Sequence, residues 1–436
     1  MRQSLERYFQ FSELKTNWRT EILAGLTTFV TMAYIIFVNP AILSETGMPR
    51  NAVTAATCLS AAVGSLLMGI YARYPIALAP GMGLNAYFTY AVVKGMGVPW
   101  QTALGAVFIS GAIFLLLTAA GIRQLILEAI PQELFAAVAV GIGLFIAFIG
   151  FRNSGIVVNS PDTAVTLGNL RSPQTILAMA GLLIMGALMA RGVRASILLG
   201  ILGTTVLGSV LGVLTWSPHP YSPSELTGTL LQLDVRGVME IGLLEVVFVF
   251  LFVDLFDNIG TLVAVGKRAK LFDDSGRIPR VTRILTCDAT ASLVGSLTGT
   301  STVVSYIESA AGVVAGGRTG IPAIVCGLLF LLSLFIAPLA GSIPTAATAP
   351  ALIIVGALML SHAAEIDWQD PAHSIPAFLT LTAIPLTFSI ANGLAFGFTS
   401  FTLIKLLSGR AREVNWLVWV LTALFLARFF YLGHAV

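Results

Sequence analysis

The sequence predicts an all-α polytopic membrane protein of about 14 transmembrane segments arranged as a seven-plus-seven inverted repeat. Three observations predict it. Of the 436 residues, 56% are hydrophobic and only 10% are charged, with a mean hydropathy of +0.90, which is too little polar surface to coat a water-soluble globule of this size. Apolar runs of span length recur along the whole chain. Two of them are short and interrupted, and they occupy equivalent places in the two halves. A soluble enzyme is therefore excluded.

The N-terminal segment 1–19 carries Arg2, Arg7, Lys15 and Arg19 with Glu6 and Glu13, and reads as cytoplasmic. The first apolar run continues past Glu21 without a small-residue cleavage pattern, so it is a retained span rather than a signal peptide. Apolar runs between charged or Pro/Gly-rich breaks give spans 1–4 at 20–43, 51–72, 76–93 and 100–120, and spans 5–7 at 133–151, 174–190 and 195–216. In the second half, spans 8–11 lie at 238–266, 281–298, 302–316 and 320–341, and spans 12–14 at 345–363, 375–409 and 415–433. Span 3 opens with IALAPGMG (76–83) and span 10 is preceded by GTSTVV (299–304), both poor in helix formers, which predicts extended chain followed by a half-helix. Segment 375–409 is too long for one span and carries Pro376, Pro385 and Asn392-Gly393, so it is either a kinked helix or a short hairpin followed by a helix.

Corresponding spans of the two halves are separated by offsets of 212 to 226 residues. Seven spans per half is an odd number, so the halves lie in opposite membrane orientations. Paired interrupted segments in such halves point to a transporter's binding site. With a cytoplasmic N-terminus, most of the 24 Lys and Arg residues fall on the inner side, as the charge bias of membrane proteins requires. Lys405, Arg410 and Arg412 fall on the outer side, against that bias, unless segment 375–409 crosses twice. The net charge of +3 forms no basic run with interleaved aromatics, so nucleic acid is not a partner. Cys58, Cys287 and Cys326 sit far apart in apolar stretches, and no disulfide, metal framework or cofactor is expected.

Ionisable groups at membrane depth are costly and mark function by default. The clearest are Asp254 and Asp257 in span 8 and Glu308 in span 10. Asp254, Asp257 and Asn258 stand at i, i+3 and i+4, hence on one helix face. No Lys, Arg or His lies in these segments to pair with the acids. Asp288 differs, because Arg283 is near enough in sequence to be its partner. On span 3, Asn85 follows the flexible Pro80-Gly81-Met82-Gly83 stretch at the repeat offset from Glu308, so amide and carboxylate are expected to face each other at the ends of opposed half-helices. Such a site suits a planar, neutral ligand rich in donors and acceptors. Tyr34, Phe88, Phe252, Phe256 and Tyr306 offer stacking faces.

These residues lie in strings that together resemble the nucleobase:cation symporter-2 family, in its AzgA-like purine permease branch (hypoxanthine, guanine, adenine). The strings are TTFVTMAYIIFVNP (27–40), APGMGLNAYF (79–88), FVDLFDNIGT (252–261) and SYIESAAG (305–312), in the family's order over nearly the whole chain. The resemblance implies a core domain of spans 1–4 (20–120) and 8–11 (238–341), and a gate domain of spans 5–7 (121–216) and 12–14 (345–436). It implies a purine held between core and gate, with short strands in spans 3 and 10. By motif, Asn85, Asp254 and Glu308 look like substrate contacts, with Gly83 and Tyr306 beside them. Asp257 looks like an accessory or proton-linked acid, and Asp254 and Glu308 are further candidates to carry the proton. Relatives for uracil and xanthine have Glu where this chain has Asp254, and the shorter arm leaves room for a bicyclic ring.

The resemblance thus implies a multi-pass importer of the cell (inner or plasma) membrane, embedded in the lipid bilayer, that couples a purine nucleobase to protons in an elevator-like motion. Sodium coupling and a homodimer stay open. An anion exchanger of the same architecture is the nearest rival, disfavoured by the acid-rich site. An intramembrane enzyme is further away, because HExxH, GxGD and a Ser/His pairing at depth are missing and His219, His362, His373 and His434 fall in loops or at span ends.

Overall fold

The structure, a computed structural model, describes residues 2–121, 130–216, 227–241, 243–269 and 278–432. His219, His434 and the last residue of the expected 415–433 span lie outside the described residues. The expected spans are met by helices. Span 1 is Trp18–Met32 followed by Ile35–Leu43, and it starts where the Asn17 side chain accepts the Thr20 N–H at 3.0 Å. Among the described residues, eight helical stretches are long and apolar enough to cross a membrane, from Trp18–Thr46 to Ile390–Leu407.

Beside Pro80-Gly81 and in the Thr- and Val-rich run 300–304, the chain is extended. The strands are β1 (Leu78–Pro80), β2 (Val157–Ser160), β3 (Ala164–Leu167) and β4 (Val303–Ser305). The first and last belong to spans 3 and 10 and pair antiparallel, Leu78 opposite Ser305 and Pro80 opposite Val303. Each is followed by a half-helix, Met82–Ala86 (which continues in wider turns to Gly95) and Ser309–Val314. Pairing satisfies only one edge of each buried strand, and an unsatisfied backbone group at membrane depth costs several kcal/mol. Serines of the neighbouring spans complete the other edges. Ser65 of span 2 accepts the Leu78 N–H at 2.9 Å and donates to the Leu78 carbonyl at 3.2 Å. Ser292 of span 9 does the same for Val303, at 3.2 and 2.9 Å. The two serines hold equivalent places in the two halves, so one solution is used twice. The β2–β3 hairpin, between spans 5 and 6, was not foreseen from sequence, and its residues are largely exposed.

The chain divides into two units. One is Met1–Ala119 with Ile149–Ile354, and it holds both strand-bearing spans. Within it, spans 1 and 11 approach so closely at Gly25 that an added Cβ would lie 2.6 Å from the Val325 Cβ, as small-residue packing between membrane helices requires.

The other unit is Ala120–Phe148 with Val355–Val436. Here segment 375–409 resolves into two helices, Pro371–Thr387 and Ile390–Leu407, broken at Phe388, whose φ is 50°. Gly393 packs on Ile384 and Gly397 on Thr380, so the helices are antiparallel. Their ends remote from Phe388 meet, with Arg410 Nη1 2.6 Å from Asp370 Oδ2, and Glu413 bonded to Arg410 (2.8 Å) and Lys405 (2.6 Å). The segment therefore goes out and back. Its ends lie on one side, together with Glu133, which is 3.2 Å from His373 at the start of the hairpin. Counted from a cytoplasmic N-terminus, that side follows span 12 and is the inner one, so Lys405, Arg410 and Arg412 accord with the bias they seemed to break. Lys405 is not a loop cation but a 1% exposed residue of the last helical turn. The last helix, Trp416–Leu432, follows the hairpin.

Arg410, then Lys405, pulls the Glu413 carboxyl down to about 2, and Arg410 holds Asp370 below its ordinary range. A carboxyl lowered in this way contributes stability above its ordinary pKa and loses it only as pH falls through about 2.

Two outcomes are expected. Ser65→Ala and Ser292→Ala each leave a strand edge unsatisfied and lower stability by about 1–3 kcal/mol, seen as a lower Tm of the purified protein. A membrane-impermeant thiol reagent labels cysteines placed at Asp367 and Arg412 from the same side, and a cysteine at Thr387 from the opposite side or not at all. Labelling of the first two from opposite sides would refute the hairpin.

Candidate functional site

Span 8 is the helix Leu244–Ala269, with an aromatic stripe on the side away from its polar residues. Phe248, Phe252 and Phe256 recur every four residues, and their rings contact in sequence at centroid distances of 4.4 and 6.0 Å. Asp254, Asp257 and Asn258 occupy the other side, as the spacing predicts. Asn258 is a hub. Its Nδ2 donates to Asp254 Oδ1 at 2.8 Å and to Asp288 Oδ2, and its Oδ1 accepts the Ser305 N–H at 2.9 Å. One amide thus joins spans 8, 9 and 10 and connects two acids buried to 1% and 0% exposure with the end of β4. Asp288 finds its partner in Asn258, while the Arg283 guanidinium, its expected partner, stacks over the Tyr71 ring at 5.5 Å.

The strand pair positions the remaining groups. Tyr306, the residue after β4, donates its phenol to the Pro80 carbonyl at 2.6 Å, and its N–H reaches the Ala77 carbonyl at 3.0 Å. Gly83 lies buried in the half-helix after β1, and Asn85 two residues on is fully buried. Asn85 Oδ1 accepts from the Ser301 hydroxyl, while its Nδ2 is buried without a partner, as are the hydroxyls of Thr302 and Ser305. Glu308 immediately precedes the second half-helix and accepts the Tyr34 phenol at 2.5 Å. Asp257 lies beside Gly81, with Oδ2 3.6 Å from where a Cβ would stand.

The expected site residues thus gather around β1 and β4, with different neighbours. Asn85 and Glu308 do not share a hydrogen bond: one is held by Ser301, the other by Tyr34. Asp257 and Glu308 are partly exposed, whereas Asp254 is buried against Asn258. Chemically the cluster offers carboxylate acceptors from spans 8 and 10 and unpaired donors from Asn85 and the hydroxyls. Sequence reading treated Tyr34 as a stacking face and did not single out Ser301, Ser65 or Ser292. The signal for Ser65 and Ser292 is their place on apolar spans next to the irregular segments, and Ser301 lies within one of those segments.

The family model Xan_ur_permease, a permease family, matches residues 19–396. The chain is 45% identical to the adenine permease AdeP of Escherichia coli over 424 residues, 97% of this chain and 95% of that one. It is 44% identical to the guanine/hypoxanthine permease PbuG of Bacillus subtilis over 446 residues, 98% of this chain and 100% of that one. Among solved structures, the transmembrane domain of the cyanobacterial bicarbonate transporter BicA superposes with a TM-score of 0.66 at 16% identity, covering 87% of this chain and 97% of the other. That likeness establishes the fold alone.

Replacing Asn258 with Ala is expected to strip a donor from two buried acids and an acceptor from the Ser305 N–H, at about 1–3 kcal/mol per unsatisfied group. The Tm should fall further than for Ser65→Ala. An unchanged Tm would remove Asn258 from the centre of the site.

Proposed function

Because the chain belongs to the nucleobase:cation symporter-2 family of permeases, and is thus a multi-pass transporter of the cell membrane, we propose that it imports purine nucleobases by proton symport. The names of the similar permeases, for adenine and for guanine and hypoxanthine, support the substrate class. The observation that carries the reading is the polar array around β1 and β4, where unpaired donors on Asn85, Thr302 and Ser305 accompany the carboxylates of Asp257 and Glu308. A purine presents ring N–H groups to carboxylates and ring acceptors to an amide, so both kinds of group are matched.

In this reading Asn85, Asp254 and Glu308 recognise the base, with Gly83 leaving room for close approach and Tyr306 lining the site. Asp257 carries the proton together with Asp254 or Glu308. Release of base and proton inside follows an elevator-like displacement of the core spans against the gate spans. Sodium coupling is the alternative, in which the same carboxylates and nearby carbonyls hold a hard cation. An anion exchanger of this architecture is less well supported, because the charged groups at the strand pair are carboxylates.

Purine binding is expected to weaken at least about tenfold, about 1.4 kcal/mol, in Asn85→Ala, Asp254→Ala and Glu308→Ala, measured on protein that remains folded. Full affinity in all three would overturn the site. Uptake is expected to rise at acidic outside pH, to collapse with a protonophore and to persist without sodium. In competition, adenine, guanine and hypoxanthine displace the labelled base better than uracil or xanthine, and a preference for uracil would remove the purine assignment.

A further inference from the structure

At the inner ends of spans 2 and 9, three arginines gather with three tyrosines. The Arg73 guanidinium lies 5.1 Å from the Tyr8 ring centre and donates to the Tyr8 carbonyl at 2.9 Å. Arg280 lies 5.2 Å from the Tyr74 ring, whose hydroxyl donates to the Pro279 carbonyl at 2.6 Å. Arg283 lies 5.5 Å from the Tyr71 ring. The tyrosine faces hold the three guanidinium groups in place by cation–π contact. Among the described residues, none of the three is in an ion pair with a carboxylate.

This cluster is unfavourable as it stands. Arg73 Nε and Arg280 Nη1 are buried without hydrogen-bond partners, and an unmet charged donor is among the costlier defects of a fold. Burial lowers the pKa of Arg280; Tyr74 and Tyr8 oppose the fall, and the like charges of Arg73 and Arg283 add to it. The backbones of Arg73 and Arg280 are also held in the left-handed region, with φ of 59° and 57°, which a non-glycine residue adopts only at a cost. The unmet buried donors and the like charge are both relieved by an anion that accepts several N–H bonds at once.

The surroundings identify the anion. Ile70 and Tyr71, beside the arginines, are 51% and 48% exposed, so apolar surface adjoins the charges at the end of a membrane span. A free anion in water makes no use of that surface, whereas a phospholipid places its phosphate beside the arginines and its glycerol and upper chains beside Ile70 and Tyr71. The inner leaflet carries the negative surface charge that draws such clusters, and guanidinium forks match phosphate oxygens. We infer that Arg73, Arg280 and Arg283 form a binding site for the phosphate of an anionic phospholipid at the inner membrane surface.

Occupancy of this site joins spans 2 and 9 at their inner ends, the same two spans whose serines complete the strand edges. The site lies apart from Asn85, Asp257 and Glu308, so its loss need not alter substrate binding. The test uses the full-length protein purified in detergent and depleted of lipid, titrated with phosphatidylglycerol, phosphatidylcholine or inorganic phosphate. Phosphatidylglycerol is expected to raise the Tm by several degrees through preferential binding to the folded state, with phosphatidylcholine and phosphate giving little. The double variant Arg73→Gln/Arg280→Gln is expected to lose the shift while binding purine as the parent does. Arg73→Lys/Arg280→Lys, which keeps the charge without the planar fork, should retain only part of it. Equal shifts from both lipids, a full shift from inorganic phosphate alone, or an undiminished shift in the Gln variant would each overturn the assignment. If the Gln variant fails to fold, the lipid comparison on the parent protein decides.

Discussion

The structure depends on one constraint: the backbone of two three-residue strands must be satisfied at membrane depth without water. Pairing of β1 with β4 meets half of the requirement, and the other half falls to side chains of the adjacent spans. Ser65 and Ser292 each accept and donate at one residue, Ser309 receives the Ala77 N–H at 3.0 Å, and Asn258 receives the Ser305 N–H at 2.9 Å. Spans 2, 8, 9 and 10 are therefore positioned by hydrogen bonds that helix packing alone would not demand. The irregular segments become rigid points, and polar side chains can be presented from them with defined geometry.

The same requirement sorts the carboxylates. Asn258 is drawn to β4 by the Ser305 N–H, and its other end then holds Asp254 and Asp288 in the buried interior. Glu308 and Asp257 lie at the margins of the strand pair and stay partly exposed, one under the Tyr34 hydroxyl and the other beside Gly81. Acids one helical turn apart thus acquire different environments, Asp254 against Asn258 and Asp257 beside Gly81.

Much of this was legible in the sequence. Mean hydropathy and the spacing of apolar runs determined a polytopic helical protein, because only helices and closed barrels satisfy their backbones in lipid. Pro80 with the following Gly81 and Gly83, and the β-branched run before residue 305, determined where extended chain enters the membrane, and the spacing of Asp254, Asp257 and Asn258 determined their shared face. The strings at 27–40, 79–88, 252–261 and 305–312 identified the family, since together they set polar groups on apolar spans in one order. These features are local, or repeat at a fixed offset, so a linear reading can find them.

What only the tertiary structure decided is which partners meet across spans. Proline and Asn-Gly signals left segment 375–409 between a kink and a hairpin, and the choice required Asp370 and Arg410 to be seen together, 40 residues apart. The pairing of Tyr34 with Glu308 spans 274 residues and that of Asn85 with Ser301 spans 216. Ser65 and Ser292 look like ordinary small residues of membrane helices until a strand edge is placed beside them. Sequence determined the chemical groups and the depth at which they lie. Their partners follow from how helices from opposite halves of the chain pack, which no local pattern encodes.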